Sequence, residues 1–175
     1  MKVKDKSFVP YLSEEEIQKK IKKLASSINK DYKESKPLFI AILNGSFMFA
    51  SDIFKEIKLD CEISFMKLSS YEEMSSTGNV RELIGLNENV FNRDVIIIED
   101  IVDTGRTMKN VLEQFEDRGV KSVEVVSLLI KPEALENPVE IKYVGFEIPN
   151  KFVVGYGLDY DGFGRNSKAI YQLKS

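Results

Sequence analysis

The sequence predicts an α/β fold with a mainly parallel sheet flanked by helices. Two unbroken apolar runs, Leu38–Leu43 and Val95–Ile98, are too short for buried helices and read as strands covered on both faces. Each is followed by apolar residues at helical spacing and then by another strand-like segment. The order strand, helix, strand therefore occurs twice, which is the signature of parallel pairing through crossover helices.

Taken in order, Ser13 and Glu16 form a capping-box pattern, and Ile17, Ile21, Leu24 and Ile28 recur at helical spacing, so residues 14–29 are predicted to be an amphipathic helix. Pro37 and Asn44-Gly45 bound the first buried strand. Phe47, Ala50, Ile53, Phe54 and Ile57 place a helix over residues 46–57, and Cys61, Ile63 and Phe65 alternate as a half-buried strand. The polar, Ser-rich stretch 69–81 is long for a connection, as lids are. Met108, Val111, Leu112 and Phe115 lie on one helical face that Gly119 ends, and Val123–Ile130 returns as a strand. Short β-like pieces follow at Val144–Ile148, Val153–Tyr156 and Ala169–Leu173. Added end segments on one domain are the economical organisation, and the 175-residue length suits it.

Composition narrows the chemistry. The chain has no His and one Cys, so Ser-His and Cys-His couples, His-containing zinc sites and an internal disulfide are excluded. Proton transfer falls to Asp, Glu, Lys, Tyr or Cys61. The opening residues have no apolar stretch of signal-peptide length, and no run approaches a membrane span, so a cytoplasmic protein is expected. A pI near 5.3 argues against a broad nucleic-acid surface but is compatible with a small basic pocket.

The informative stretch is Val95–Thr107, where a buried strand runs into Glu99 and Asp100, then Asp103, then a hydroxyl-rich turn opening a helix. Open α/β sheets bind ligands at the carboxyl ends of their strands. The turn at 103–107 offers amides, two hydroxyls and a helix N-terminus to a phosphate, while Glu99 and Asp100 suit sugar hydroxyls or Mg²⁺. A single Asp there would simply cap the helix, but three carboxylates with Thr-Gly-x-Thr exceed that need. No GxxxxGK[ST] occurs, and the helical pattern after Asp103-Thr104-Gly105 excludes an all-β aspartic protease.

The segment IIIEDIVDTGRT resembles the phosphoribosyl-pyrophosphate (PRPP) signature of type I phosphoribosyltransferases, in the form of the hypoxanthine-guanine branch. LNGSFMFASDI (43–53) is similar to that family's pyrophosphate loop, LSSYEEMSSTG (68–78) to its lid, and SLLIK (127–131) with VGFEIPNKFVVGYGLDY (144–160) to its purine-recognition segments. The resemblance implies one domain over 1–175, with a core at about 36–147 and a small hood built from about 1–35 and 148–175. It also implies purine salvage: Mg²⁺-dependent transfer from PRPP to a 6-oxopurine. Within the family the alternatives are a xanthine-preferring enzyme and a PRPP-sensing RNA-binding regulator, the latter disfavoured by the acidic pI. Relatives form dimers or tetramers, so a homo-oligomer is expected.

Carried onto this chain, Glu99 and Asp100 take the ribose hydroxyls or their metal, and Asp103 removes the N7 proton. Thr104, Gly105, Arg106 and Thr107 hold the 5′-phosphate through the two threonine hydroxyls and the intervening amides, the Arg106 side chain either adding charge or facing water. Asn44 and Gly45 meet pyrophosphate through the backbone, with a Leu43–Asn44 peptide bond that relatives often hold cis. Many relatives have Lys or Arg where Asn44 stands, a charge Asn cannot supply; read alone, Asn44 would cap the next helix. Lys131 donates to the 6-oxo group, Phe152 stacks on the base and Val153 pairs with its edge. Asp159 meets a second Mg²⁺, Arg165 meets pyrophosphate, and Ser70 and Tyr71 close the lid.

Overall fold

The protein is described by a computed structural model that covers residues 1–69, 81–84 and 86–174. The expected lid residues Ser70 and Tyr71 lie outside the described residues. Strands β1 (Lys2–Val3) and β2 (Lys6–Leu12) precede helix α1 (Glu14–Asp31); β3 (Leu38–Leu43), α2 (Phe47–Glu56), β4 (Glu62–Ser69) and β5 (Arg81–Ile84) follow. Then come β6 (Asp94–Val102), α3 (Arg106–Asp117), β7 (Ser122–Ile130), a 3₁₀ turn at Pro132–Ala134, β8 (Tyr143–Glu147), β9 (Val153–Val154) and β10 (Ile170–Leu173).

The main sheet has the order β5-β4-β3-β6-β7-β8, parallel except for β5, and a small antiparallel sheet, β1-β2-β10-β9, joins the two ends of the chain. Both capping-box bonds at Ser13 and Glu16 are present, and α1 buries Ile17, Ile21, Leu24, Ala25 and Ile28. Alternate side chains of β3 and β6 separate two cores. Phe39, Ala41, Ile96 and Ile98 pack with α1 and α2; Leu38, Ile40, Val95 and Ile97 pack with Met108, Val111 and Phe115 of α3. Crossover α2 therefore covers one face and α3 the other. The chain leaves β3 and β6 in opposite directions across the sheet, so the strand order reverses between these neighbours, and a crevice opens at their carboxyl ends.

Four expectations change. β6 continues four residues past Ile98 because its ladder with β7 runs to Val102↔Ile130, whereas its pairing with β3 stops at Ala41↔Ile98. Glu99 and Asp100 are thus inside the strand, beside a notch left by shorter β3. On β4, Met66 is buried and Phe65 is 43% exposed: Met66 joins the α3-side core, while α2 packs on β3 and β6 and leaves Phe65 bare. The expected strand 153–156 ends at Val154, since Gly155, Tyr156 and Gly157 all have positive φ. Finally, Ser46, not Asn44, is the N-cap of α2, and Asn44 lies exposed before the helix.

Candidate active site

The site is built at the notch between β3 and β6. Where β6 outruns β3, its amides turn to neighbouring carboxylates: Asp100 N–H donates to Glu99 Oε1 at 3.2 Å and Ile101 N–H to Asp100 Oδ1 at 2.9 Å. The two acids serve different walls. Glu99 lines a recess of about 100 Å³ with residues 101–105, Thr107 and Met108, while the Asp100 carboxylate occupies the space where a Cβ on Gly45 would sit, 1.7 Å from that position. Gly45 is therefore glycine for contact, and Asp100 lies directly against the 43–46 turn. The Leu43–Asn44 peptide bond is cis.

Glu99 is only 8% exposed; burial, and then the charge of Asp100, push its carboxyl well above the usual glutamate range. Between the unfolded and the raised folded pKa, the folded chain keeps a proton the unfolded chain has released, so stability falls as pH rises through that window. A Glu99→Gln protein, free of ligands, is expected to melt above wild type at pH 8 by about 2–4 °C for each kcal/mol recovered. The gain should shrink as pH falls toward 4.5 and vanish below it, where the glutamate is neutral in the folded and the unfolded chain alike. Melting curves at pH 4, 6 and 8 test this; an offset independent of pH would refute it.

Beyond Val102 the chain enters α3 through Gly105 at φ 78°, a conformation that suits glycine, and an added Cβ would lie 2.3 Å from Asn137 O. The amides of Glu136 and Asn137 donate to Thr104 O, holding this turn from behind. Its front is left open: α3 has no side-chain cap and no acid in its first turn, whereas α1 has a capping box and three glutamates. The Arg106 N–H makes only a long 3.5 Å bond to Thr104 Oγ1, and this N-terminus, with exposed Thr104, Arg106 and Thr107, presents donors and the positive end of the helix dipole to an anion.

Lys131, at the end of β7, is 7% exposed, and its ammonium donates to Asp103 Oδ2 at 2.8 Å. The residue's amide donates to Val102 O, fixing its start point against β6. A nearly buried lysine is tolerable here because a carboxylate meets it. Two further pairs complete the geometry. Arg165 contacts Asp159 at 2.8 Å and donates from Nη1 to Gly157 O at 2.7 Å; Asp159 also accepts from Gly162 N–H. Gly157 packs on the turn of β3, since a Cβ there would stand 2.0 Å from Gly45 O.

The structure thus joins Asp103 with Lys131, Asp100 with Gly45, Gly45 with Gly157, and Arg165 with both Gly157 and Asp159. Phe152, 43% exposed, lies apart from these contacts, in an aromatic group with Phe8 and Tyr160 at centroid distances of 6.2 and 5.8 Å, and Val153 is buried behind it. Lys6 stands over both the Phe152 and Tyr160 rings. Lys6 and Phe8 were not legible as site neighbours, because Pro10 obscures the strand pattern of residues 6–12; the alternation of exposed Ser7 with buried Phe8 is the signal that remains. Among the described residues no three His, Cys, Asp or Glu side chains gather as a metal cage. Paired or single carboxylates, all hard oxygen donors, fit an ion that draws its other ligands from phosphate and water, as Mg²⁺ does.

Comparison with known proteins gives the same picture. The phosphoribosyl transferase domain family matches residues 11–161. A hypoxanthine-guanine phosphoribosyltransferase of Staphylococcus aureus is 47% identical over 165 residues, 93% of this chain and 92% of the relative. The crystal structure of a hypoxanthine-guanine phosphoribosyltransferase from Bacillus anthracis superposes with a TM-score of 0.91 at 36% identity, covering 97% of this chain and 99% of that one. A hypoxanthine phosphoribosyltransferase structure from S. aureus gives 0.90 at 44% identity, covering 95% and 91%.

Proposed function

The chain belongs to the phosphoribosyl transferase domain family, and from that membership we infer that it transfers the phosphoribosyl group of PRPP to hypoxanthine or guanine, giving the nucleoside monophosphate and pyrophosphate in purine salvage. The observation that supports the base specificity is the Asp103–Lys131 pair, an acceptor and a donor 2.8 Å apart beside an uncapped helix N-terminus. A 6-oxopurine carries the complementary acceptor at O6 and donor at N7.

In this reading the 5′-phosphate sits on Thr104, Gly105, Arg106 and Thr107, whose amides and hydroxyls donate to it. Asn44 and Gly45 meet pyrophosphate through backbone groups, with Arg165 as the charged partner. Glu99 and Asp100 lie along the ribose hydroxyls, where the Asp100 carboxylate favours the positive character that C1 develops as its bond to oxygen breaks. As N9 attacks C1 and pyrophosphate departs, Asp103 takes the proton from N7. Lys131 holds O6, Phe152 stacks on the ring and Val153 pairs with its edge. The reading gives Ser70 and Tyr71 the role of excluding water, which would otherwise hydrolyse PRPP. Asp100 and Asp159, with Glu99, are the carboxylates that would hold Mg²⁺, which supplies charge neutralisation to the pyrophosphate.

The same reading makes the chain a homo-oligomer, dimer or tetramer, and Phe47 and Phe65, each 43% exposed, supply apolar surface for self-association. Lone Cys61 suits a cytoplasmic enzyme, and among the described residues no helix is long and apolar enough to cross a membrane. Pyrophosphate release from PRPP should be fastest with hypoxanthine or guanine and slowest with adenine, whose 6-amino group offers Lys131 donors. Xanthine measures how far the 2-position is read. Adenine as best substrate would remove the role given to Lys131.

A further inference from the structure

The pyrophosphate subsite proposed above, Gly45 with Arg165, depends on the conformation of a short stretch of chain whose anchor lies outside it. Gly155, Tyr156 and Gly157 have φ of 98°, 51° and 97° in succession. Glycine accepts these values readily; tyrosine does not, and such a residue persists only where its surroundings fix it. Tyr156 is fixed from its far end. Its side chain is 1% exposed, and its hydroxyl donates to Asp52 Oδ2 on α2 at 2.6 Å. Asp52 in turn accepts from Gln18 of α1 at 2.7 Å and from Lys55 at 2.6 Å, so one carboxylate ties two helices to the 155–157 turn. Burial pushes the Asp52 carboxyl up, but the donors Lys55, Tyr156 and Gln18 outweigh it and hold the group below its usual range. Burial and then Asp52 push the Tyr156 hydroxyl far above the usual phenol, so it stays a donor.

What this anchor holds is the subsite itself. Gly157, the next residue, packs on Gly45 O with no room for a Cβ; its N–H donates to Arg165 O at 2.9 Å and its carbonyl receives Arg165 Nη1. Asp52 and Tyr156 lie inside the quoted segments 43–53 and 144–160, but neither was given a role, since an Asp inside a helix and a Tyr between glycines carry no chemical signal of their own.

We propose that Asp52 and Tyr156 are positioning residues for pyrophosphate: their hydrogen bond sets the turn that aims Arg165 and seats the backbone of Gly45. The proposal rests on the phosphoribosyltransferase reading of Arg165 and Gly45. It is tested on the full-length chain with pyrophosphate and Mg²⁺ as the probe, by calorimetry, together with steady-state kinetics. Tyr156→Phe should weaken pyrophosphate binding and raise the KM for PRPP by about tenfold, the size of one lost hydrogen bond to a charged group. The KM for the purine and kcat at saturating PRPP should stay within about twofold, since nothing at Asp103 or Lys131 is moved. Asp52→Asn keeps an acceptor oxygen for Tyr156 and should retain near wild-type pyrophosphate affinity, whereas Asp52→Ala should behave like Tyr156→Phe. If Tyr156→Phe fails to fold, the contrast between Asp52→Asn and Asp52→Ala carries the same test.

Wild-type binding of pyrophosphate with an unchanged Tyr156→Phe affinity overturns the proposal alone, as does an equal loss for PRPP and purine, the mark of a merely structural role. A wild-type protein that binds no pyrophosphate overturns the reading of Arg165 and Gly45, and the proposal with it.

Discussion

An Asp103→Asn protein is expected to lose about 10²-fold or more in kcat, because general-base catalysis is typically worth 10²–10⁴ and an amide cannot take the N7 proton. The position allows a clean experiment. Asp103 follows the last residue of β6 and its side chain is about half exposed, so the exchange leaves the strand ladder untouched. Asn also keeps an oxygen that can accept from Lys131, whose ammonium otherwise stands nearly buried without a partner. The KM for PRPP should therefore remain within about threefold, since the 5′-phosphate turn is held from behind by Glu136 and Asn137 and not by the carboxylate. Steady-state kinetics with hypoxanthine at saturating PRPP reads the effect directly. An unchanged kcat would remove Asp103 from the base role and leave it as the counter-charge of Lys131.

Lys131→Ala should lower kcat/KM for hypoxanthine and guanine by about 10²–10³-fold, the cost of deleting a nearly buried charged donor that also contacts the ligand. The KM for PRPP should change little. Preference over adenine should shrink at the same time, because the donor that opposes a 6-amino group has gone. Two assays, one varying the purine and one varying PRPP, separate this from general damage. Equal losses in both would mean that Lys131 holds the fold at the end of β7 and does not read the base.

The parallel sheet was legible because strands covered on both faces must be apolar throughout, and Leu38–Leu43 and Val95–Ile98 are. The site was legible where chemistry clusters in sequence, as at Glu99, Asp100 and Asp103. It was illegible where partners converge from distant segments: nothing local pairs Lys131 with Asp103, or Arg165 with Asp159. Polarity also concealed the true end of β6. A strand that loses one neighbour while keeping the other can admit carboxylates, so the apolar run marked the strand only to Ile98 although the ladder to β7 runs on to Val102. The terminal strands were hidden for a further reason. β2 finds its second partner, β10, at the other end of the chain, a pairing that short-range pattern cannot express, and β1 joins the sheet only through β2.

The two ion pairs, Lys131 with Asp103 and Arg165 with Asp159, match the site internally in charge at both places. A stray anion gains little from a cation that a carboxylate already holds. A ligand profits only by replacing both members of a pair. On the proposed assignment, a base would do so at the first pair by bringing an acceptor and a donor on one edge, and pyrophosphate at the second by arriving with a cation to succeed Arg165 at Asp159. Selectivity on these terms comes from exchange of partners, in which a molecule matching half of a pair strands the other half, and not from the strength of any single attraction.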